Sequence, residues 1–92
     1  MKTITMAELS AKLGAYTGSS NAGRNVSKVK FENGYIIAHY ASNVLARCNG
    51  EWYFFPAHDY SQTTNRVVKG LCGMDKQERL RALEDGTAIY VK

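Results

Sequence analysis

Two Asn-Gly steps, Asn33-Gly34 and Asn49-Gly50, each sit between runs of strand-forming residues in the middle of the chain. Such a step is a strong hairpin signal, because a type I′ turn needs two positive φ angles, which Asn and Gly tolerate. Lys28-Val-Lys-Phe-Glu32 and Tyr35-Ile-Ile-Ala-His-Tyr-Ala41 flank the first step. After Ser42-Asn43, a second pair of runs meets at the other. The pattern predicts a four-stranded antiparallel meander over 28–55.

The turns also set a register. With Asn33-Gly34 as a two-residue loop, Glu32 faces Tyr35, Phe31 faces Ile36, Lys30 faces Ile37, Val29 faces Ala38 and Lys28 faces His39. One face then carries Val29, Phe31, Ile36, Ala38 and Tyr40 and is expected to be core. The other carries Lys28, Lys30, Glu32, Tyr35, Ile37 and His39, as a solvated face or a docking surface. Around Asn49-Gly50, Cys48 pairs with Glu51, Arg47 with Trp52, Ala46 with Tyr53 and Leu45 with Phe54. Trp52, Tyr53, Phe54 and Phe55 run together as in a strand covered on both sides. Packing explains them better than ligand stacking, since aromatic residues dominate cores. Pro56 ends that strand.

Helix signals flank the meander. Thr5-Met-Ala-Glu8 is a capping box that starts a helix at Met6, with Met6, Leu9 and Leu13 on its apolar side and Gly14 as its stop. Tyr16 to Asn25 is nearly devoid of apolar side chains and is expected to be a mobile surface loop. Its glycines, Gly18 and Gly23, have the look of a phosphate-cradling loop. The Lys-Ser or Lys-Thr that such a loop needs is missing, and the order is helix, loop, strand. Ser61 caps a second helix with Val67, Val68, Leu71 and Cys72 towards the sheet and Gly73 as its stop. Asp75-Lys-Gln-Glu78 opens a third to about Glu84, with Leu80 and Leu83 buried and Arg81 and Asp85 paired across one turn. Thr87 to Val91 alternates as a strand expected at the sheet edge. The fold class is therefore α+β: a single domain over 1–92 with an antiparallel four- to five-stranded sheet, an N-terminal helix and two C-terminal helices before the last strand.

Twelve Lys and Arg against eight Asp and Glu give a formal charge of +4, which favours an anionic partner without naming one. No apolar run has the length of a bilayer span, and Met1 to Glu8 lacks the apolar stretch of a signal peptide. A cytosolic protein with no membrane partner is expected. Cys48 and Cys72 have no metal-ligand spacing and are expected as buried thiols. His58-Asp59 is the one adjacent His-acid pair, with His39 the other histidine, and no further ligand stands at a defined spacing. Nucleophile elbows and Cys-x-x-Cys pairs are absent. The chain is read as a non-enzyme with no catalytic residue, metal or cofactor.

The candidate binding residues are Arg24, Lys28, Lys30, Tyr35, Arg47, Arg66 and Lys69. Scattered solvated charge is the ordinary role of such cations. Here the hairpin puts Lys28 and Lys30 on one face, the loop brings Arg24 beside them, and Tyr35 offers a ring for an unpaired base. Tyr60-Ser-Gln-Thr-Thr64 has two readings. Ser61 caps the helix while Tyr60 packs under the sheet, or the hydroxyls and free N–H groups, with Arg66 one turn on, cradle a phosphate.

Tyr40-Ala-Ser-Asn-Val-Leu-Ala46, the aromatic strand, and Tyr60-Ser-Gln-Thr-Thr-Asn-Arg66, within 31–73, resemble a small domain of unknown function common in bacteriophage genomes. In that domain a Ser-Tyr-x-Thr-x-Val-Ala strand precedes Tyr-Ser-x-Thr-Thr-x-Arg/Lys-His at a helix start; Val67 stands where the family often has His. In length, charge and layout the chain is also similar to small phage inhibitors of bacterial defence, including anti-CRISPR proteins. These resemblances imply a non-catalytic phage-type inhibitor in the host cytosol. It would bind a CRISPR effector complex or another nucleic-acid-containing defence assembly through the basic face and the loop. The alternative is a stand-alone accessory protein that binds single-stranded RNA or DNA directly.

Overall fold

Backbone groups at each helix start are satisfied by side chains close in sequence, and this fixes where the helices begin. The computed structural model describes residues 1–56 and 61–92. Among them, Thr5 and Glu8 form a reciprocal capping box at the start of α1 (Met6–Leu13), each bond 3.1 Å long. The Ser61 hydroxyl accepts from the Thr64 N–H at 3.1 Å to open α2 (Gln62–Cys72). Asp75 and Glu78 form the second box, at α3 (Lys76–Asp85). Each cap pairs N–H groups that a helix start leaves without internal partners. No helix among the described residues is long and apolar enough to cross a membrane.

The strands are β1 (Lys2–Ile4), β2 (Tyr16–Gly23), β3 (Val26–Phe31), β4 (Gly34–His39), β5 (Ser42–Cys48), β6 (Glu51–Phe54) and β7 (Ala88–Val91). They form one sheet in the order β1-β7-β6-β5-β4-β3-β2, antiparallel from β2 to β6 and parallel at β6–β7 and β7–β1. The α+β architecture is thus as expected, but the sheet is mixed and has seven strands among the described residues. The chain leaves β6, crosses through α2 and α3, and re-enters the sheet beside β6. A crossover of this length suits a parallel pairing. β7 is consequently interior, with β1 outside it, rather than at the edge.

Tyr16 to Asn25 is not a mobile loop but β2 and its turn into β3. Its polar composition hides this because an edge strand is held by its backbone ladder and needs no apolar face. Register shifts at Tyr16/Gly18 and Asn21/Gly23 bulge it, a common way to blunt an exposed edge.

The first hairpin turns at Glu32-Asn33, so Lys30 pairs with Tyr35, Val29 with Ile36 and Lys28 with Ile37. Asn33 fixes that position: its Nδ2 donates to the Lys12 carbonyl at 2.9 Å and its backbone N–H to Leu13 at 3.0 Å, docking the turn on the end of α1. The register moves by two residues, which preserves every side chain's face. Around Asn49-Gly50 the pairing is the one expected, with φ of 51° and 81° at the two turn residues. β4 and β5 are joined by Tyr40-Ala41 rather than by Ser42-Asn43.

Both faces of the sheet are covered. On one side Leu9 and Leu13 of α1 pack on Ile36, Ala46 and Tyr53. On the other, Val68 of α2 and Leu83 of α3 pack on Ile37, Leu45 and Phe54. The expectation that the lysine-bearing face carries no core is corrected. Ile37, Leu45 and Phe54 lie side by side across three strands, and so large an apolar surface is stabilised by covering it. In α3 the buried positions are Arg79, Ala82 and Leu83, while the expected Leu80 is 50% exposed.

Candidate nucleic-acid interface

Strand register assembles one row of candidates. Gly18, Lys30, Tyr35, Arg47, Trp52 and Ala88 are successive partners from β2 to β7. Directly paired residues share a face, so these side chains emerge together. Lys30 is exposed, whereas Tyr35, Arg47 and Trp52 are half-buried. The two rings pack against the core under α2 and α3, which places the row at the margin of the helical layer. Lys28, two residues back along β3, holds its Nζ 4.2 Å from the centre of the Tyr35 ring. Arg47 holds its guanidinium carbon 4.2 Å from the Trp52 ring. Each cation–π contact is worth about 0.5–1 kcal/mol at a surface.

Lys28 and Lys30 therefore project from the same face, and the helices cover the apolar row beside Lys30 without burying it. Trp52 is the member that sequence reasoning missed, because its aromatic neighbours marked the whole segment as core. Its pairing with Arg47 was the available signal.

Arg24 and Arg66 form a second group. Arg24, in the turn between β2 and β3, and Arg66, on α2, line one open groove of about 600 Å³ together with His39, Tyr40, Thr63 and Gly70. Tyr40 was expected on the core face but is 69% exposed, having left the strand at the turn. It holds φ of 57°, unusual for a bulky side chain. Its backbone N–H donates to the Asn25 carbonyl at 2.7 Å, tying the two neighbouring turns together, and its ring meets His39 edge-on at 4.7 Å. His39 is 5% exposed and its Nδ1 is hydrogen-bonded to Thr64 Oγ1 at 2.9 Å. Thr64 is in turn 3.0 Å from Ser61 Oγ. The Ser61–Thr64 hydroxyls serve the cap and this histidine.

Lys69 joins neither group. It is exposed in the last turn of α2, near Asp75, whose carboxyl is held below its usual range chiefly by accepting from Glu78 N–H, with the Lys69 charge adding to it. His58, Asp59 and Tyr60 lie outside the described residues. Among the described residues, no three His, Cys, Asp or Glu side chains gather where a metal ion could be held. Cys48 is buried, and burial pushes its thiol up, away from the reactive thiolate. Cys72 is half-buried, its Sγ donating to the Met74 carbonyl at 3.6 Å.

No protein-family model, no curated protein and no solved structure matches the chain.

Proposed function

We propose that this chain is a non-catalytic binding protein whose partner is single-stranded nucleic acid, engaged along the Lys30–Tyr35–Arg47–Trp52 row with Lys28 beside it. The observation that carries the reading is the alternation of cations and rings across four paired strands, with both cation–π distances at 4.2 Å. Lysines and an arginine neutralise phosphates. A guanidinium held over an indole also offers its outer plane to an unstacked base.

Trp52 is the chain's one tryptophan, so its emission reports occupancy of the row directly. Titration with an unstructured oligonucleotide should quench or shift that emission at low salt. Neutralising three phosphates at Lys28, Lys30 and Arg47 predicts a slope of about −2 in log affinity against log salt. Lys30→Glu combined with Arg47→Glu should abolish the response. Equal affinity in that variant would remove the row from the interface.

A second reading places the same face against a host defence complex that already holds RNA or DNA, as a phage-type inhibitor. It is favoured by the phage-domain resemblance, whose segment 31–73 contains Tyr35, Arg47, Trp52 and Arg66. A pull-down on CRISPR effector complexes, with the double charge reversal as control, separates the two: capture without free-oligonucleotide binding supports the inhibitor.

A further inference from the structure

We infer that the groove between α2 and the turns at Arg24-Asn25 and Tyr40-Ala41 is a second site, which takes a nucleotide bearing a terminal phosphate. The groove measures about 600 Å³, within the range for small-molecule sites. Two arginines line it from distant parts of the chain, Arg24 from the turn and Arg66 from the helix. Neither guanidinium has a hydrogen-bond or ion-pair partner among the described residues. Among the described residues that line the groove there is no Asp or Glu. Paired arginines suit the planar, multidentate recognition of a phosphate group.

The rest of the groove fits the remainder of a nucleotide. Tyr40 presents an exposed ring from a backbone conformation that a tyrosine rarely adopts, φ of 57°. A strained, exposed aromatic that lines a groove is well placed to stack on a base. Gly70 lies in the interior of α2, where glycine weakens a helix, yet nothing comes within 4 Å of the position its Cβ would occupy. No packing contact among the described residues demands a glycine there, and its bare surface widens the groove. Asn25 and Thr63 add short polar side chains for a sugar or phosphate oxygen.

The site is distinct from the Lys30–Trp52 row but shares its face. Val26, which lines the groove, and Lys28 and Lys30 stand at alternate positions of β3, so a strand whose end sits in the groove has cations leading towards the row.

The test is amide-shift NMR on the full chain with adenosine 5′-monophosphate, adenosine and inorganic phosphate as probes. The monophosphate should move the Asn25, Tyr40, Arg66 and Gly70 signals and bind about tenfold tighter than adenosine or phosphate alone. Arg24→Ala with Arg66→Ala should remove that binding. Tyr40→Gly should erase the advantage over inorganic phosphate while the melting temperature holds or rises, since glycine accepts the turn's φ. Lys30→Glu with Arg47→Glu should leave it untouched, so failure here and failure of the row are read separately. An oligonucleotide that binds the groove more tightly with a 5′-phosphate than with a 5′-hydroxyl identifies the ligand as a strand end, and equal binding identifies the free nucleotide. Absence of shifts at Tyr40 and Gly70, or undiminished affinity in the arginine double variant, overturns the inference.

Discussion

Gly34 lies so close to the neighbouring strand that a Cβ there would overlap the Arg47 carbonyl oxygen. Since that oxygen is backbone, a side chain at 34 would force β4 and β5 apart just where Tyr35 pairs with Arg47. Gly34→Ala should therefore cost about 2–3 kcal/mol in urea unfolding and blunt the Trp52 response as well. Tyr53 is 2% exposed, and burial beside Glu51 pushes its phenol up to about 12. The neutral phenol is the folded form, so its contribution is complete below the unfolded value of about 10 and is lost as pH rises from there through the folded value. Tyr53→Phe should lose less stability than the parent across that alkaline window. Identical alkaline limbs would show that the phenol does not titrate there. Neither residue is recognisable from the sequence: Gly34 looks like half of a turn signal, and Tyr53 like one aromatic among four.

At the scale of elements, the capped helices are the most local features and the easiest to test. Thr5→Ala removes one side of the capping box and should cost about 1 kcal/mol. The Glu8, Asp75 and Asp85 carboxyls are all held below their usual range, chiefly by hydrogen bonds accepted from Thr5, Glu78 and Thr87 respectively. A depressed carboxyl stabilises the fold above its unfolded value, and that stabilisation disappears as pH falls through the folded one. Unfolding midpoints should hence fall below about pH 4, and less steeply in a Glu8→Gln, Asp75→Asn variant. These caps were legible because each depends on residues three apart. The hairpin at Asn49-Gly50 was legible for the same reason. The register at Glu32-Asn33 was not, since Asn33 is positioned by the Lys12 and Leu13 carbonyls of α1, far away in sequence. β2 was hidden because, past Tyr16, its side chains are small or polar and its backbone ladder holds it. Lys28 and Lys30 were nonetheless placed on a common face, because a two-residue slip leaves the parity of a strand unchanged. The meeting of Arg24 with Arg66 depends on how α2 lies on the sheet, which no local pattern encodes.

At the scale of the whole molecule, what positions both candidate sites is the helical layer, and Arg79 joins its two helices. This arginine is 6% exposed; it donates to the Met74 carbonyl at 3.1 Å and to Asn65 Oδ1 at 2.6 Å, linking α3 to α2 and to the connection between them. Arg66 rides on α2, and Tyr35 and Trp52 emerge from under the layer's edge, so its placement sets both the groove and the row. Arg79→Met keeps much of the volume but withdraws those donors from part-buried acceptors, at an expected cost of about 2 kcal/mol. It should also weaken the monophosphate at the groove and the oligonucleotide at the row together, because one shift of the layer disturbs both. Lys30→Glu lies outside the layer and should leave the urea midpoint within about 0.5 kcal/mol of the parent while weakening only the row's response. An Arg79→Met protein that unfolds at the parent's midpoint would mean that apolar packing by Val68, Ala82 and Leu83 holds the layer without the guanidinium, and the two sites would then vary independently.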